Sequence, residues 1–287
     1  MLAEDVRNVG VVGCGLMGSG IVEVCARAGL EVTFVEADAE RIANGNALIA
    51  RSLGRAEQRG KLDSETRDRV LASISSSTEL DALADADLVI EAVVELPDEK
   101  RHVFARLDDV TRPDVVLASN TSSIPIVEIA AATKRPDRVL GMHFFNPPPV
   151  MGLIELIRSI ETSEETLAFA RAMGERLGKR VVVAKDRAGF IVNMLLIPYL
   201  NGAIRMYDEG FATAEDIDAA VSLGLNHPMG PLTLLDYIGL DTAMFVADVL
   251  YEEFKDPSYA PPPLLRRMVA AGRLGRKSGR GFYEYGR

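Results

Sequence analysis

The sequence predicts an α/β protein: an N-terminal Rossmann-type, doubly wound sheet followed by an all-α C-terminal domain. Three observations carry this. Short β-branched runs alternate with longer helical patterns through the first half of the chain. A glycine-rich turn, Gly13-Cys-Gly-Leu-Met-Gly18, separates the first such run from the first helix. Strand-like runs stop after about Asp186, where periods near 3.6 residues take over.

Taken in order, Val9-Gly-Val-Val is the first strand, and a helix runs from about Leu16 to Ala28 behind the glycine turn. Glu31-Val-Thr-Phe-Val is the second strand, and Ala39 to Gly60 reads as a long helix. Leu88-Val-Ile-Glu-Ala-Val-Val, Val115-Val-Leu-Ala-Ser, Arg138-Val-Leu-Gly-Met and Arg180-Val-Val-Val-Ala are further strands. Helical segments of about 10–20 residues between strands mean βαβ units and a mostly parallel sheet. Right-handed crossovers cover both faces of such a sheet, so inner strands are nearly continuously apolar, as these are. Beyond Asp186, helical periods occupy Phe190–Tyr207, Ala214–Leu223 and Leu232–Phe254. Gly210, Gly224, Gly230 and Pro231 punctuate them, and Ala260-Pro-Pro-Pro precedes a last helix over Leu264–Ala271. The expected domains are therefore 1–186 and 187–287.

Composition excludes several classes. The 287 residues carry 32 Lys and Arg against 42 Asp and Glu, a net charge of −10, which lacks the basic footprint a nucleic-acid binder needs. Two cysteines, Cys14 and Cys25, cannot staple a chain of this length, which points to a reducing, cytoplasmic setting. The acidic start MLAEDVRNVG is neither a signal nor a transit peptide. The longest uncharged stretch, Ala188–Ile204, contains Asn193, Pro198, Asn201 and Gly202; it is shorter than the roughly 20 apolar residues a membrane span takes and reads as a buried helix.

Gly13-Cys-Gly-Leu-Met-Gly18 is G-x-G-x-x-G in the context its chemistry requires, after the first strand and opening the first helix. Gly13 makes the tight turn and Gly15 lets backbone approach a pyrophosphate. Gly18 permits close helix–strand packing, and the helix N-terminus, at Leu16 and Met17, offers unpaired N–H groups and positive dipole. Glu36, closing the second strand, stands where an acidic residue hydrogen-bonds the adenosine ribose. A carboxylate there repels a 2′-phosphate and favours NAD over NADP, although Arg41 lies close enough in sequence to soften that preference. The pattern calls for no metal.

Of three histidines, His102 sits in a charged surface-helix pattern and His227 precedes Pro228 in a loop. His143 follows the strand Arg138–Met142, at the carboxyl end where open α/β sheets bind ligands. It is a candidate to take a hydroxyl proton as hydride leaves the same carbon, with a structural role as the alternative.

Asn120-Thr-Ser-Ser, His143-Phe-Phe-Asn-Pro-Pro, Leu153-Ile-Glu-Leu and Asp186-x-x-Gly-Phe-Ile-Val-Asn193 resemble the 3-hydroxyacyl-CoA dehydrogenase family, and most closely its short, free-standing 3-hydroxybutyryl-CoA dehydrogenases. The segments His227-Pro-Met-Gly-Pro-Leu-Thr-Leu-Leu-Asp236 and Gly279-x-Gly-Phe-Tyr283 match as well, so the resemblance spans Val6 to Tyr285. It implies His143 as catalytic base, Glu155 as its partner, Ser122 as the catalytic serine and Asn193 as a substrate-site asparagine. It also implies Glu95, Lys100 and Asn146 near the nicotinamide, with Lys277 reaching the cofactor from the helical domain. Read without the family, Glu155 is one more strand carboxylate, Ser122 a helix cap before Ile124-Pro, Glu95 and Lys100 an exposed pair opening a helix, and Lys277 a solvated charge.

Coenzyme A brings phosphates, and an acidic protein should gather basic residues along its approach. Arg41, Arg51, Arg55, Arg59 and Lys61 stand against one acid, Glu57, and Arg51, Arg55 and Arg59 share one helix face. The family's CoA contacts in this helix, a Ser and a Lys, fall on Ser52 and Arg59; the Lys→Arg change keeps charge and alters geometry. A solvated basic face is the alternative. Met194 replaces an arginine common in relatives, which leaves acyl-chain length open, and Cys14 is expected to make the empty cofactor site sensitive to oxidation.

These readings converge on an NAD-dependent L-3-hydroxyacyl-CoA dehydrogenase of short chains. The competing readings are the same chemistry on an acyl-carrier-protein thioester, a dehydrogenase of free sugar acids such as L-gulonate, and a cofactor-binding protein without catalysis. Apolar residues of the C-terminal helices, among them Met194, Leu195, Leu196, Ile197, Leu200, Leu232, Leu234, Leu235 and Ile238, exceed what a thin domain buries alone and predict a homodimer through that domain.

Overall fold

The structure, a computed structural model, describes residues 2–286. The chain divides into two compact units, the first ending at Arg187 and the second beginning at Ala188.

The first unit is built on β1 (Asn8–Val12), β2 (Glu31–Val35), β3 (Ile74–Ser77), β4 (Leu88–Glu91), β5 (Val116–Ser119), β6 (Val139–Phe144), β7 (Leu153–Arg158) and β8 (Arg180–Lys185). They form one sheet in the order β3-β2-β1-β4-β5-β6-β7-β8. Every neighbouring pair is parallel except β6–β7, which is antiparallel. Helices α1 (Leu16–Arg27), α2 (Ala39–Gln58), α3 (Ser64–Ala72), α4 (Pro97–Val110), α5 (Ile126–Ala130) and α6 (Glu164–Arg176) provide the connections. Side-chain caps set several helix starts: Asp38 accepts from the Arg41 N–H, Asp63 from Thr66 and Ser163 from Thr166. β4, β5 and β6 are buried along their whole length, as apolar strands covered on both faces must be. Strand order reverses between β1 and β4, with β2 and β3 to one side and the later strands to the other. Ligands of open α/β sheets bind beyond the strand ends at such a switch point.

Several elements differ from the sequence reading, which left β7 out of its ordered strands and placed His143 after the strand that in fact contains it. β3, Ile74-Ser-Ser-Ser, is an edge strand with one apolar side chain, so no hydrophobic period announces it. β4 ends at Glu91 rather than running on to Val94. The single helix expected over 232–254 is two, because Gly239 at φ +100° breaks it.

The second unit contains α7 (Val192–Asp208), α8 (Ala214–Gly224), α9 (Pro231–Ile238), α10 (Leu240–Phe254) and α11 (Pro263–Ala270). Leu200, Ile204, Leu232, Leu235, Leu240, Leu265 and Met268 make its core. Two buried carboxylates lock it. Asp218, on α8, accepts from the Leu232 and Thr233 N–H groups that open α9 and from the Tyr283 hydroxyl. Asp236 accepts from the N–H groups of Phe282 and Tyr283 and from the Tyr285 hydroxyl. A Cβ on Gly281 would lie 1.9 Å from the Asp236 carboxylate, so the segments around Asp236 and Gly279-x-Gly-Phe-Tyr283 are two halves of one clamp.

The apolar surplus of this unit is not where the sequence put it. Ile197, Leu200, Leu232 and Leu235 are buried in the unit itself, and of the residues named for a dimer only Leu195 is exposed. The exposed apolar side chains of the unit include Leu195 together with Phe211, Leu223, Leu225 and Phe245, which the sequence reading had not singled out. No helix among the described residues is long and apolar enough to cross a membrane.

Candidate active site

β1 hands the chain to α1 through Gly13, whose φ of +88° suits glycine and whose N–H donates to the Val35 carbonyl at 2.9 Å. A Cβ on Gly18 would sit 1.9 Å from the Gly13 carbonyl oxygen, whereas one on Gly15 would meet nothing within 4 Å. The two glycines therefore serve different ends: Gly18 lets helix and turn touch, and Gly15 leaves backbone open. Gly15 and Leu16 are exposed, and Met17 is half-buried. No side chain caps α1 and its first turn holds no acid, so its N–H groups and positive dipole face outward for an anion. Gly20 packs on Pro148, which would crowd any Cβ to 2.6 Å; this ties the helix to the segment after His143.

Glu36 lies just past the end of β2, with Oε1 accepting from the Cys14 N–H at 2.7 Å and Oε2 from Ala37 at 3.1 Å. Arg41 is turned to Asp38, with 3.4 Å between Nε and the carboxylate. The residues fit a dinucleotide: a cradle only glycine allows, an open helix end and a carboxylate fixed at the second strand. The reactive Cys14 expected from the sequence is overturned. Its thiol is buried against Gly45, and burial, with Glu36 adding to it, pushes its pKa up to about 12.

At the carboxyl ends of β4 and β5 lies a buried ionic network. Lys100 is 1% exposed, and its ammonium donates to Glu91 Oε1 at 2.6 Å and to the Val93 carbonyl at 3.4 Å, with Glu95 Oε2 at 3.2 Å. Glu91 is wholly buried and also accepts from Val93 N–H at 2.7 Å and Ser119 Oγ at 2.6 Å. Glu95 Oε1 accepts from Thr121 Oγ1 at 2.5 Å, Ser122 N–H at 2.8 Å, Ser123 N–H at 3.2 Å and Ser123 Oγ at 3.1 Å. Burial pushes the Glu95 carboxyl up, but Lys100 and these hydrogen bonds outweigh it and hold it below the usual glutamate value. Burial prevails at Glu91 and pushes it up. The exposed pair that Glu95 and Lys100 form in the reading without the family is thus corrected: both are drawn inward around one ammonium.

The Ser122 loop is held from both sides. Beyond Glu95, Asp186 at the end of β8 accepts from the Ile126 and Val127 N–H groups, each at 2.8 Å, and so caps α5. Asn120 Oδ1 accepts from the Phe144 N–H at 2.8 Å, joining this loop to the end of β6.

His143 stands opposite Glu155 in the antiparallel β6–β7 register. Directly opposed side chains share one face of a sheet, so the pairing brings Nδ1 to 2.8 Å from Glu155 Oε2. Both residues are buried, and the Phe145 ring lies 4.7 Å from the imidazole, centre to centre. His102 is exposed, and so is His227.

Asn146 is exposed beyond β6. Ser52, on α2, is half-buried and Arg59, the C-cap residue just past its end, is exposed, with Arg51 and Arg55 exposed and Ile49 and Leu53 buried. In the second unit, Asn193 is half-buried at the start of α7, and Lys277 Nζ pairs with Asp241 at 2.6 Å. The structure thus gathers His143 with Glu155, Ser122 with Glu95 and Lys100, and Glu36 with the glycine turn. Sequence reasoning passed over Glu91, Ser119 and Asp186. Glu91 had a signal: a carboxylate inside the apolar run Leu88-Val-Ile-Glu-Ala needs a buried cation, and Lys100 follows nine residues later.

Comparison with known proteins agrees along the chain. The NAD-binding domain of 3-hydroxyacyl-CoA dehydrogenase matches residues 8–187, and the C-terminal domain of 3-hydroxyacyl-CoA dehydrogenase matches 189–285. The chain is 56% identical over 286 residues to a 3-hydroxybutyryl-CoA dehydrogenase of Mycobacterium tuberculosis, covering 99% of this chain and 100% of that one. It is 42% identical to the mitochondrial hydroxyacyl-coenzyme A dehydrogenase of Sus scrofa, covering 98% and 91%. The crystal structure of (S)-3-hydroxybutyryl-CoA dehydrogenase PaaH1 from Ralstonia eutropha superposes with a TM-score of 0.93 at 47% identity, covering 99% and 100%. With both domains matched in order and relatives this similar over their full length, the chain belongs to the 3-hydroxyacyl-CoA dehydrogenase family of oxidoreductases.

Proposed function

We propose that the protein interconverts short-chain (S)-3-hydroxyacyl-CoA and 3-oxoacyl-CoA, with 3-hydroxybutyryl-CoA and acetoacetyl-CoA as the pair, using NAD. The observation that carries this is the His143–Glu155 pair at the end of β6, joined through Asn120 to the Ser122 loop. NAD supplies the hydride acceptor for oxidation and, reduced, the hydride donor for the reverse. His143 takes the C3 hydroxyl proton on Nε2 in oxidation and returns it in reduction. Glu155 holds the proton on Nδ1, which fixes the tautomer, and stabilises the imidazolium once Nε2 is protonated. Ser122 and Asn193 donate to the substrate oxygen, which gathers negative charge during reduction.

Gly13, Gly15, Leu16, Met17 and Gly18 hold the pyrophosphate and Glu36 the adenosine ribose, with Glu95, Lys100, Asn146 and Lys277 on the nicotinamide side. Glu36, with Arg41 turned away to Asp38, supports NAD over NADP; a kcat/KM higher with NADPH than with NADH overturns that assignment. Ser52 and Arg59 bind the CoA moiety, an idea supported by the exposed row Arg51, Arg55 and Arg59. The exposed Leu195, Phe211, Leu223, Leu225 and Phe245 support a homodimer through the helical unit, and a monomeric mass in light scattering refutes it. Two buried free thiols support a reducing, cytoplasmic setting.

The test is NADH oxidation with acetoacetyl-CoA, comparing the native protein with His143→Ala. The expected result is turnover that the substitution removes while NADH still binds. A native protein that binds NADH but turns over only a carrier-protein thioester, or only a free hydroxy acid, defeats the reading.

A further inference from the structure

Glu91 is a wholly buried carboxylate that the proposed chemistry does not use, and its position explains how the Ser122 loop is held. Lys100 has three ammonium protons and three partners inside the protein: Glu91, Glu95 and the Val93 carbonyl. With its hydrogen-bonding capacity committed inward, this lysine serves as the shared cation of two carboxylates. One of these, Glu91, closes β4 and is anchored by Ser119 Oγ at the end of β5 and by the Val93 N–H two residues beyond β4. The other, Glu95, is the member open to solvent, and Oε1 gathers the Thr121 hydroxyl and the Ser122 and Ser123 N–H groups. Position is thus passed from β4 and β5 through Glu91, Lys100 and Glu95 to the backbone of Ser122.

We propose that Glu91 is a positioning residue for the reaction: by fixing Lys100 it fixes Glu95, and through Glu95 it sets the loop that presents Ser122 to the substrate oxygen. This rests on the role given to Ser122 above. Without the Glu91 charge, Lys100 has a single anionic partner and draws toward it, moving the Glu95 carboxylate and the N–H groups bonded to it. Glu91→Gln is the matching perturbation, since the amide keeps the shape, and Ser119 Oγ can accept where it now donates.

Two readouts test it. The first is hydrogen exchange of the segment 120–127, which needs no turnover: Glu91→Gln should speed exchange at Ser122 and Ser123 by about tenfold or more, and unchanged protection there overturns the proposal. The second is a double-mutant cycle on acetoacetyl-CoA reduction. Glu91→Gln should lower kcat about tenfold with KM changed less than about threefold, and the loss should vanish in a Ser122→Ala background. An equal loss in both backgrounds means that Glu91 does not act through Ser122. If Glu91→Gln fails to fold, Glu91→Asp, which keeps the charge but shortens its reach to Lys100, should show the same dependence on Ser122 at about threefold. A native protein with no turnover sinks the assigned reaction and leaves the exchange experiment to decide the positioning role.

Discussion

His143 and Glu155 meet across the antiparallel β6–β7 pair, Nδ1 to Oε2 at 2.8 Å, and the carboxylate is wholly buried. A buried carboxylate on one imidazole nitrogen orients the ring and offsets the charge that appears when the other nitrogen is protonated. Glu155→Gln, which keeps shape and removes charge, should lower kcat by about 10²-fold or more with little change in NADH affinity. His143→Ala should cost at least as much. A Glu155→Gln enzyme within about threefold of the native kcat would show that the pair is structural.

The glycine turn predicts opposite behaviour for two of its members. Gly15→Ala adds a methyl group to open space and should leave the thermal midpoint within about 2 °C while weakening NADH binding about tenfold. Gly18→Ala drives a Cβ into the Gly13 carbonyl and should destabilise by about 2–3 kcal/mol or more, whatever the cofactor. Thermal melts and NADH fluorescence titrations on the two variants separate these outcomes. Equal loss of stability in both would contradict the assigned division of labour.

Acid should act on Glu95. Its carboxyl is held below the ordinary value of 4.5, so it binds protons more weakly folded than unfolded. The stability it contributes is present above about 4.5 and is lost as pH falls through the lower, folded value. Thermal midpoints measured from pH 6 downward should therefore fall more steeply below about 4.5 for the native protein than for Glu95→Gln. Parallel curves would show that the native and unfolded carboxyls titrate alike.

Both cysteines should be inert in the native state. Burial pushes Cys14 and Cys25 up to about 12, leaving on the order of one thiolate in ten thousand at pH 8. Iodoacetamide at that pH should label neither until denaturant is added, as read by mass spectrometry, and NADH should not alter the Cys14 rate. Rapid native labelling of Cys14 would restore the oxidation-sensitive role expected from its place in the glycine loop.

Local information sufficed for the fold class. β-branched runs, helical periods and the glycine turn lie within short windows, so a doubly wound sheet and a following helical domain are legible in the order of residues. β3 escaped because an edge strand of serines buries little. Tertiary structure alone decided the rest of the site. His143 and Glu155 are twelve residues apart, and only the antiparallel register sets them face to face. Lys100 looks like a solvated helix charge until β4 and β5 supply Glu91 and Ser119 around it. The apolar residues of the helical unit could be counted in the sequence, but which of them the unit's own core consumes depends on packing. A sequence records which groups are available at each position; burial and pairing are properties of distant segments meeting, and those two properties determine what a charged group can do.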